Sequence, residues 1–353
     1  MPIQGRHPIL GGRLKSAMAN DSAKGDETQP DVAAVVAPAP GGTLAAYVEH
    51  LQSFGQTAVL SRNSPYAWIL GAPRFLNRLP FGYPEPPDPA EVRDLLRLRG
   101  IWVVGYTIAP DAAHPANLFH YVRRGPVFRL ENLSRNARRS IHRGLKRFKI
   151  RLCTWDELAD KGLAALCETR ARHADPLPGP EVLRRMAERH RGLPLYDIWG
   201  AWDGDDLVAW MICTKIDDWV VMLATGSRTA ALKDCPNNAI YYRLTAQYIT
   251  EEGCRYVSCG LSTLRGDIDP IPLHQYKTRM GYEPEPVHGA YVVHPLLRPA
   301  LQTRPGSWCL ERLSMALPKV QSLRKAAGLS CVLSGRDKDP LAWIREEGGS
   351  TSD

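Results

Sequence analysis

The chain has 353 residues, is 44% apolar and carries a net charge of +8, with an isoelectric point of about 9.1. Its length supplies two domain-sized cores, and it contains neither an apolar signal core nor a run near ~18 uninterrupted apolar residues, so neither export nor membrane spanning is indicated. The positive balance admits a polyanionic partner such as RNA, a phosphorylated precursor or an anionic membrane surface, and fits a plainly basic soluble protein equally well. The eight cysteines form no C-x-x-C pair and most sit in apolar runs. They read as small buried hydrophobes, with no disulfide partner and no zinc site, and a cytoplasmic, reducing location follows.

Residues 1–43 are rich in Ala, Pro, Gly, Ser and Asp and read as a disordered leader. Residues 44–131 form a reduced first domain. Leu44, Tyr47, Val48 and Leu51 recur at helical spacing, and 57–60 and 67–71 are strand-like. The prolines of 79–88 (LPFGYPEPPD) favour an ordered loop. A helix restarts at Pro89, and 101–108 and 118–122 are strands. Residues 132–148 begin the strongest charge signal, which runs to Arg151 without an acid. Leu133, Ala137, Ile141, Leu145 and Phe148 make an apolar seam, so this is an amphipathic linking helix with a cationic face. Arg139 and Arg143, a turn apart, are its best pair for phosphate; a solvated helix face is the plainer reading.

A second domain spans 149–295. It opens with a strand at 149–154, a helix at 155–173 capped by Asp156 with Leu158, Leu163, Leu166 and Cys167 inward, and a helix at 181–191. Three apolar runs follow at 195–202, 207–216 and 219–225, joined by Asp-rich turns, and predict an antiparallel meander. After the loop 226–236, Asn237 is a suitable N-cap for a helix over 239–252 that Gly253 stops. The run 256–261 (YVSCGL) is a buried strand, 273–280 a short helix ended by Gly281, and 283–294 a closing strand. A strand–helix–strand unit appended to a meander makes a mixed sheet, with ligands expected at strand ends beside a helix N-terminus. Residues 296–353 read as a helix near 308–317, a basic stretch at 319–325 and a disordered end.

This order over 149–294 is similar to that of the GNAT acyltransferase superfamily. Four local stretches resemble its FemAB-like, double-GNAT branch: 132–146 (NLSRNARRSIHRGLK), 79–84 (LPFGYP), Gly260 in 259–261 (CGL), and 273–281 (LHQYKTRMG), which resembles an aromatic-Lys-x-x-x-Gly motif. The resemblance covers about 44–294 and implies an α+β (mixed α/β) fold, a GNAT-like mixed sheet with flanking helices in two units, the first reduced. It implies an N-acyltransferase that moves an acyl or aminoacyl group directly from acyl-CoA or aminoacyl-tRNA, as co-substrate and not as bound cofactor, to an amine. The acceptor would be a glycan, peptidoglycan or other cell-envelope precursor, with possible peripheral contact at the inner membrane surface. The loop SRTAALKDCPNNA lacks the paired glycines that cradle the CoA pyrophosphate in ordinary GNAT enzymes, a departure that FemAB-like relatives share.

Acyl transfer to an amine needs a neutral amine, a stabilised oxyanion and a protonated leaving group. By the resemblance, Lys277 stabilises the oxyanion or binds a donor phosphate; a solvent-facing lysine is its bland reading. Tyr276 is a candidate proton donor or a packing aromatic. His274, on the same helix face as Lys277, is a candidate base or a surface histidine. Arg228 and Lys233 are candidate phosphate contacts, as are Asn237 and Asn238 at the crossover-helix N-terminus, where capping is the simpler reading. His173 with Asp175 suggests a base and its orienter, but lies in a proline-flanked loop. No metal site is expected. The competing reading is a non-catalytic GNAT-derived module that binds RNA or another polyanion through the basic helix.

Overall fold

The computed structural model describes residues 43–62, 65–72, 74–173, 175–262, 270–317 and 320–335. The expected leader up to residue 42, Lys319 and the end beyond 335 lie outside the described residues. In chain order the helices are α1 (Thr43–Ser53), α2 (Pro89–Arg97), α3 (Arg135–Arg147), α4 (Trp155–Lys161), α5 (Leu163–Arg172), α6 (Val182–His190), α7 (Pro236–Ala246), α8 (Ile271–Arg279), α9 (Arg298–Leu301), α10 (Arg304–Ala316) and α11 (Gln321–Leu333). The strands are β1 (Ala58–Leu60), β2 (Ala67–Ala72), β3 (Phe75–Leu79), β4 (Val103–Ile108), β5 (Leu118–Arg124), β6 (Lys149–Cys153), β7 (Tyr196–Asp203), β8 (Asp206–Ile216), β9 (Trp219–Ser227), β10 (Tyr256–Leu261) and β11 (Glu283–Val293).

These elements form two compact units, each drawn from separated stretches of chain. The first takes the described parts of 24–120, 261–271 and 285–353. Its strand order is β1-β2-β3-β4-β11, with β3 and β4 parallel and the other pairs antiparallel. The strand β3 is absent from the sequence reading, because its FLNRL pattern runs straight into the proline loop. One face packs Trp68, Leu76 and Val104 against Leu95 of α2. The other packs Val103, Tyr291 and Val293 against Leu301, with the helices α10 and α11 over them. Arg78 is fully buried on β3 and ties down the expected loop: its guanidinium donates to the carbonyls of Tyr83, Glu85 and Thr107 and lies over the rings of Tyr66, Tyr83 and Tyr106.

The second unit takes residues 121–260 and 272–284, with strand order β5-β10-β9-β8-β7-β6. The β7–β8–β9 meander is antiparallel, as the Asp-rich turns predict, and Gly204 and Asp217 supply the positive φ those turns require. The strands β9 and β10 pair in parallel across the crossover helix α7. Three local expectations are corrected. Thr154, not Asp156, caps α4, in a capping box with Glu157. The helix expected over 155–173 is divided at Gly162 into α4 and α5, and Leu163, Leu166 and Cys167 are only half-buried while Ala165 and Thr169 turn inward. The crossover helix begins at Pro236 and ends in a π turn at Gln247–Glu251, before Gly253. All cysteines are free; Cys213, Cys254 and Cys259 are buried, whereas Cys309 is exposed and the others are half-buried.

Candidate active site

The site is built where two neighbouring strands part. The β9–β10 ladder runs from Trp219–Tyr256 to Val221–Ser258 and stops there. Yet β9 continues to Ser227 and β10 to Leu261. Beyond the split, β9 stays paired with β8, so its other edge of amides and carbonyls is released from β10. Gly260, at φ 78°, turns the end of β10, and its amide donates to Ser258 Oγ at 3.0 Å.

Cys259 is the first residue past the split, and Lys277 of α8 interacts with it electrostatically. Lys277 is fully buried, and its Nζ has no hydrogen-bond partner among the described residues. The ammonium lies 4.0 Å from the centroid of the Tyr121 ring. Burial pushes its pKa down to about 8, opposed by its electrostatic interaction with Cys259. The Cys259 thiol is pushed up to about 12 by its own burial. Tyr121 OH lies 3.0 Å from His274 Nδ1, so one tyrosine on β5 braces two of the three candidates of α8, His274 and Lys277. Tyr276 packs edge-on against Tyr241 of α7, and burial raises its phenol pKa, so it keeps its proton at neutral pH.

The far end of β9 carries the basic loop. Residues Thr229–Asp234 form a 3-10 turn, and Cys235, at φ 60°, turns the chain into α7. The helix α5 holds this loop in place. Thr169 Oγ1 accepts from the Ser227 amide at 2.8 Å, and Arg172 donates to the Ser227 carbonyl at 2.9 Å and to Thr229 Oγ1 at 2.7 Å. Glu168 accepts from the Thr229 amide at 2.6 Å and pairs with Arg228 Nε at 3.6 Å. Burial works against the Glu168 carboxylate, but the Thr229 amide and Arg228 outweigh it and hold its pKa below the ordinary value.

The basic helix α3 lies against this loop and the start of α7. Its Gly144 permits the approach, since a Cβ there would sit 2.5 Å from the Cys235 carbonyl oxygen. Arg143 donates to the Lys233 carbonyl at 3.1 Å. Arg147 is paired with Asp203, but no described carboxylate pairs with Arg135, Arg139, Arg143 or Lys146. Pro236 lacks an N–H, so the first helical amides without an intrahelical acceptor are those of Asn237 and Asn238.

The candidate residues therefore fall into two groups within one unit. Lys277, Tyr276 and His274 share α8, while Arg228, Lys233, Asn237, Asn238, Arg139 and Arg143 gather around the loop and the α7 N-terminus. Asn238 Nδ2 donates to Met280 Sδ at 3.2 Å, which links the groups. Asn237 is not the N-cap; that position is Cys235, and Asn237 lies in the first turn, buried, with Nδ2 3.4 Å from Ser227 Oγ and Oδ1 unpartnered among the described residues. Arg170 pairs with Asp175 at 3.6 Å. Tyr121, Glu168, Thr169 and Arg172 escape the sequence analysis, because each acts across a long sequence gap and none sits in a local pattern. Among the described residues no group of His, Cys, Asp or Glu could hold a metal ion.

The meander, the parting ladder and the crossover helix define a fold of the GNAT type, in its FemAB-like form. Among solved structures, the crystal structure of FemX matches with a TM-score of 0.51 over 71% of this chain and 92% of that chain, at 9% identity. L-PGS from Bacillus licheniformis matches with a TM-score of 0.45 over 85% and 98% of the two chains, at 11% identity. A tandem GNAT protein from the clavulanic acid biosynthesis pathway matches with a TM-score of 0.35 over 65% and 78%, at 12% identity. Identities this low speak for the fold alone, and of the three it is FemX that carries the likeness. No family model and no curated protein matches the chain.

Proposed function

We propose that this protein is an N-acyltransferase that passes an acyl or aminoacyl group from acyl-CoA or aminoacyl-tRNA directly to an amine of a cell-envelope or polysaccharide precursor. The observation that carries the reading is Lys277: a buried cation without a hydrogen-bond acceptor among the described residues, placed where β9 and β10 part. A buried charge without an acceptor is costly and persists where a ligand supplies one. A donor carbonyl in the split would do so, and its oxygen gains charge as the amine adds. An extended donor arm with amide groups would hydrogen-bond along the released edge of β9.

The remaining residues then take the other roles. Phosphates of the donor lie at Arg228, Lys233, Arg139 and Arg143, beside the amides of Asn237 and Asn238. The amine nitrogen attacks the carbonyl carbon, and the carbon's bond to sulfur or ribose oxygen breaks. His274 takes the proton that the amine loses, and Tyr276, protonated at neutral pH, gives one to the leaving atom. The unpaired cations of α3 support a second reading, a non-catalytic module for RNA or another polyanion.

Thermal shift at one fixed salt concentration, with CoA, acyl-CoAs and bulk tRNA, separates the donors, because a ligand of the native state raises the melting temperature. Stabilisation by acyl-CoA selects the CoA branch. Stabilisation by tRNA alone, fading with salt, selects aminoacyl transfer or the binding module. Lys277→Ala then divides those two: lost turnover with binding retained supports the enzyme, and indifference to the substitution overturns it.

A further inference from the structure

The helix α10 is inside out for a surface helix. Its side chain at Ser307 is fully buried and faces Ser330 of α11, with the two Oγ atoms 3.2 Å apart. A second small residue, Gly306, faces α9 instead: a Cβ there would lie 2.3 Å from the Pro299 carbonyl oxygen. Leu310 packs inward on the core, but most of the large apolar side chains of α10 point the other way. Trp308 is 52% exposed, Leu313 50%, Met315 60% and Leu317 51%, and Val320 follows at 42%. At about 100° per residue, Trp308, Leu313 and Met315 fall within an outer arc of about 160°, and Leu317 caps the helix beyond it. That arc holds a single charge, Arg312, whose guanidinium sits 5.0 Å from the centroid of the Trp308 ring. A small residue at the buried helix contact and large apolar residues on the outer face suit a helix whose outer surroundings are lipid.

We propose that the α10–α11 pair docks this protein onto an anionic lipid bilayer, with α10 lying flat in the headgroup layer. The charge around the arc selects that occupant. On α9 and α10, Arg298, Arg304 and Arg312 are exposed, against the half-buried Glu311 alone. Two copies meeting through this face would set these cations against each other, whereas an anionic surface accepts both the charge and the apolar arc. A tryptophan with an arginine over its ring suits the boundary between headgroup and acyl chain. The helix has 13 residues, and no described helix is long and apolar enough to cross a membrane, so the contact is peripheral. The inference rests on the tail alone and stands or falls apart from the transfer reaction.

Co-sedimentation of the full chain with vesicles tests it, comparing phosphatidylglycerol-containing vesicles with pure phosphatidylcholine. The wild type sediments with the anionic vesicles and releases as salt rises. The triple variant Trp308→Ser, Leu313→Gln, Met315→Gln keeps its melting temperature, because the three side chains are already half exposed, and loses binding by about tenfold or more. A polarity-sensitive dye on the exposed thiol of Cys309, with Cys309→Ser as the control, shifts to the blue on the same vesicles. Three results each overturn the proposal: a wild type that stays in the supernatant, a triple variant that binds as the wild type does, or a wild-type dimer that the triple variant dissolves. A dye that stays in water while the protein sediments overturns it as well, by placing the contact elsewhere.

Discussion

Lys277 is costly where it stands. Its pKa falls from 10.5 to about 8 because burial disfavours the ammonium. The unfolded chain therefore holds this proton more tightly than the folded one. Below about pH 8 both states are protonated and the penalty is carried in full. From there to 10.5 the folded state sheds its proton first, so stability rises with pH, by about 3 kcal/mol across the window. Lys277→Met removes the penalty. We expect its melting temperature at neutral pH to exceed that of the wild type, with the gap closing towards pH 10.5 and transfer falling by roughly 10²–10³. Denaturation curves of both proteins across that range check the sign; a variant less stable at pH 7 refutes it. The wild-type rate should fall as pH rises through about 8, since the cation is the form that stabilises an oxyanion. Tyr121→Phe divides the brace: it keeps the ring under Lys277 and removes the hydroxyl from His274. Its pH–rate profile should change on the limb that reports the base, with the limb near 8 in place.

At the scale of elements, helix against helix sets the anion end of the site. The seam of α3 buries Ala137 and Ile141, and Gly144 completes it. Gly144→Ala pushes a methyl to 2.5 Å from the Cys235 carbonyl and 2.8 Å from Ala239 Cβ, and backbone cannot give way as a side chain does. We expect a loss of about 1–3 kcal/mol in stability and weaker donor binding, read by chemical denaturation and thermal shift; Arg139→Glu with Arg143→Glu should weaken donor binding while leaving stability near that of the wild type. The amphipathic seam of α3 was legible from spacing alone. Its partner was not, because α7 lies some ninety residues later and no local pattern names the surface that covers it. Capping shows the same division. The sequence placed a helix start near residue 155 correctly, but Thr154 with Glu157 made a better pair than Asp156, since the two side chains answer each other's backbone amides. Thr154→Ala should cost about 1 kcal/mol, measured by denaturation.

At the scale of the whole molecule, the chain passes between its units more than once. The strand β4 of the first unit pairs with β11, which arrives some 180 residues later. A fragment of residues 43–131 keeps β1 to β4 and the β5 segment but lacks β11 and the helices that cover Val103. Half of that sheet's apolar surface would face water. We expect the fragment to show no cooperative thermal transition by circular dichroism; a sharp one would show that β1 to β4 suffice.

Element type and order from the meander to β11 were determined by the sequence itself, whereas β3 and α11 were not legible in it. Turn chemistry and hydrophobic period are local, and they sufficed for the meander, the basic helix, the crossover and the short α8, with the fold they imply. The tertiary structure decided what those elements do to one another. Nothing within 271–279 tells a buried lysine from a solvated one, because the alternation of that helix is weak and the default place of an ammonium is water. Burial came with tertiary packing, which sets the ring of Tyr121, far away in sequence, against the Lys277 ammonium. The loop followed the same rule. Arg228 and Lys233 were visible as charges, but Glu168, Thr169 and Arg172 position them through hydrogen bonds about sixty residues long in sequence, which depend on packing alone.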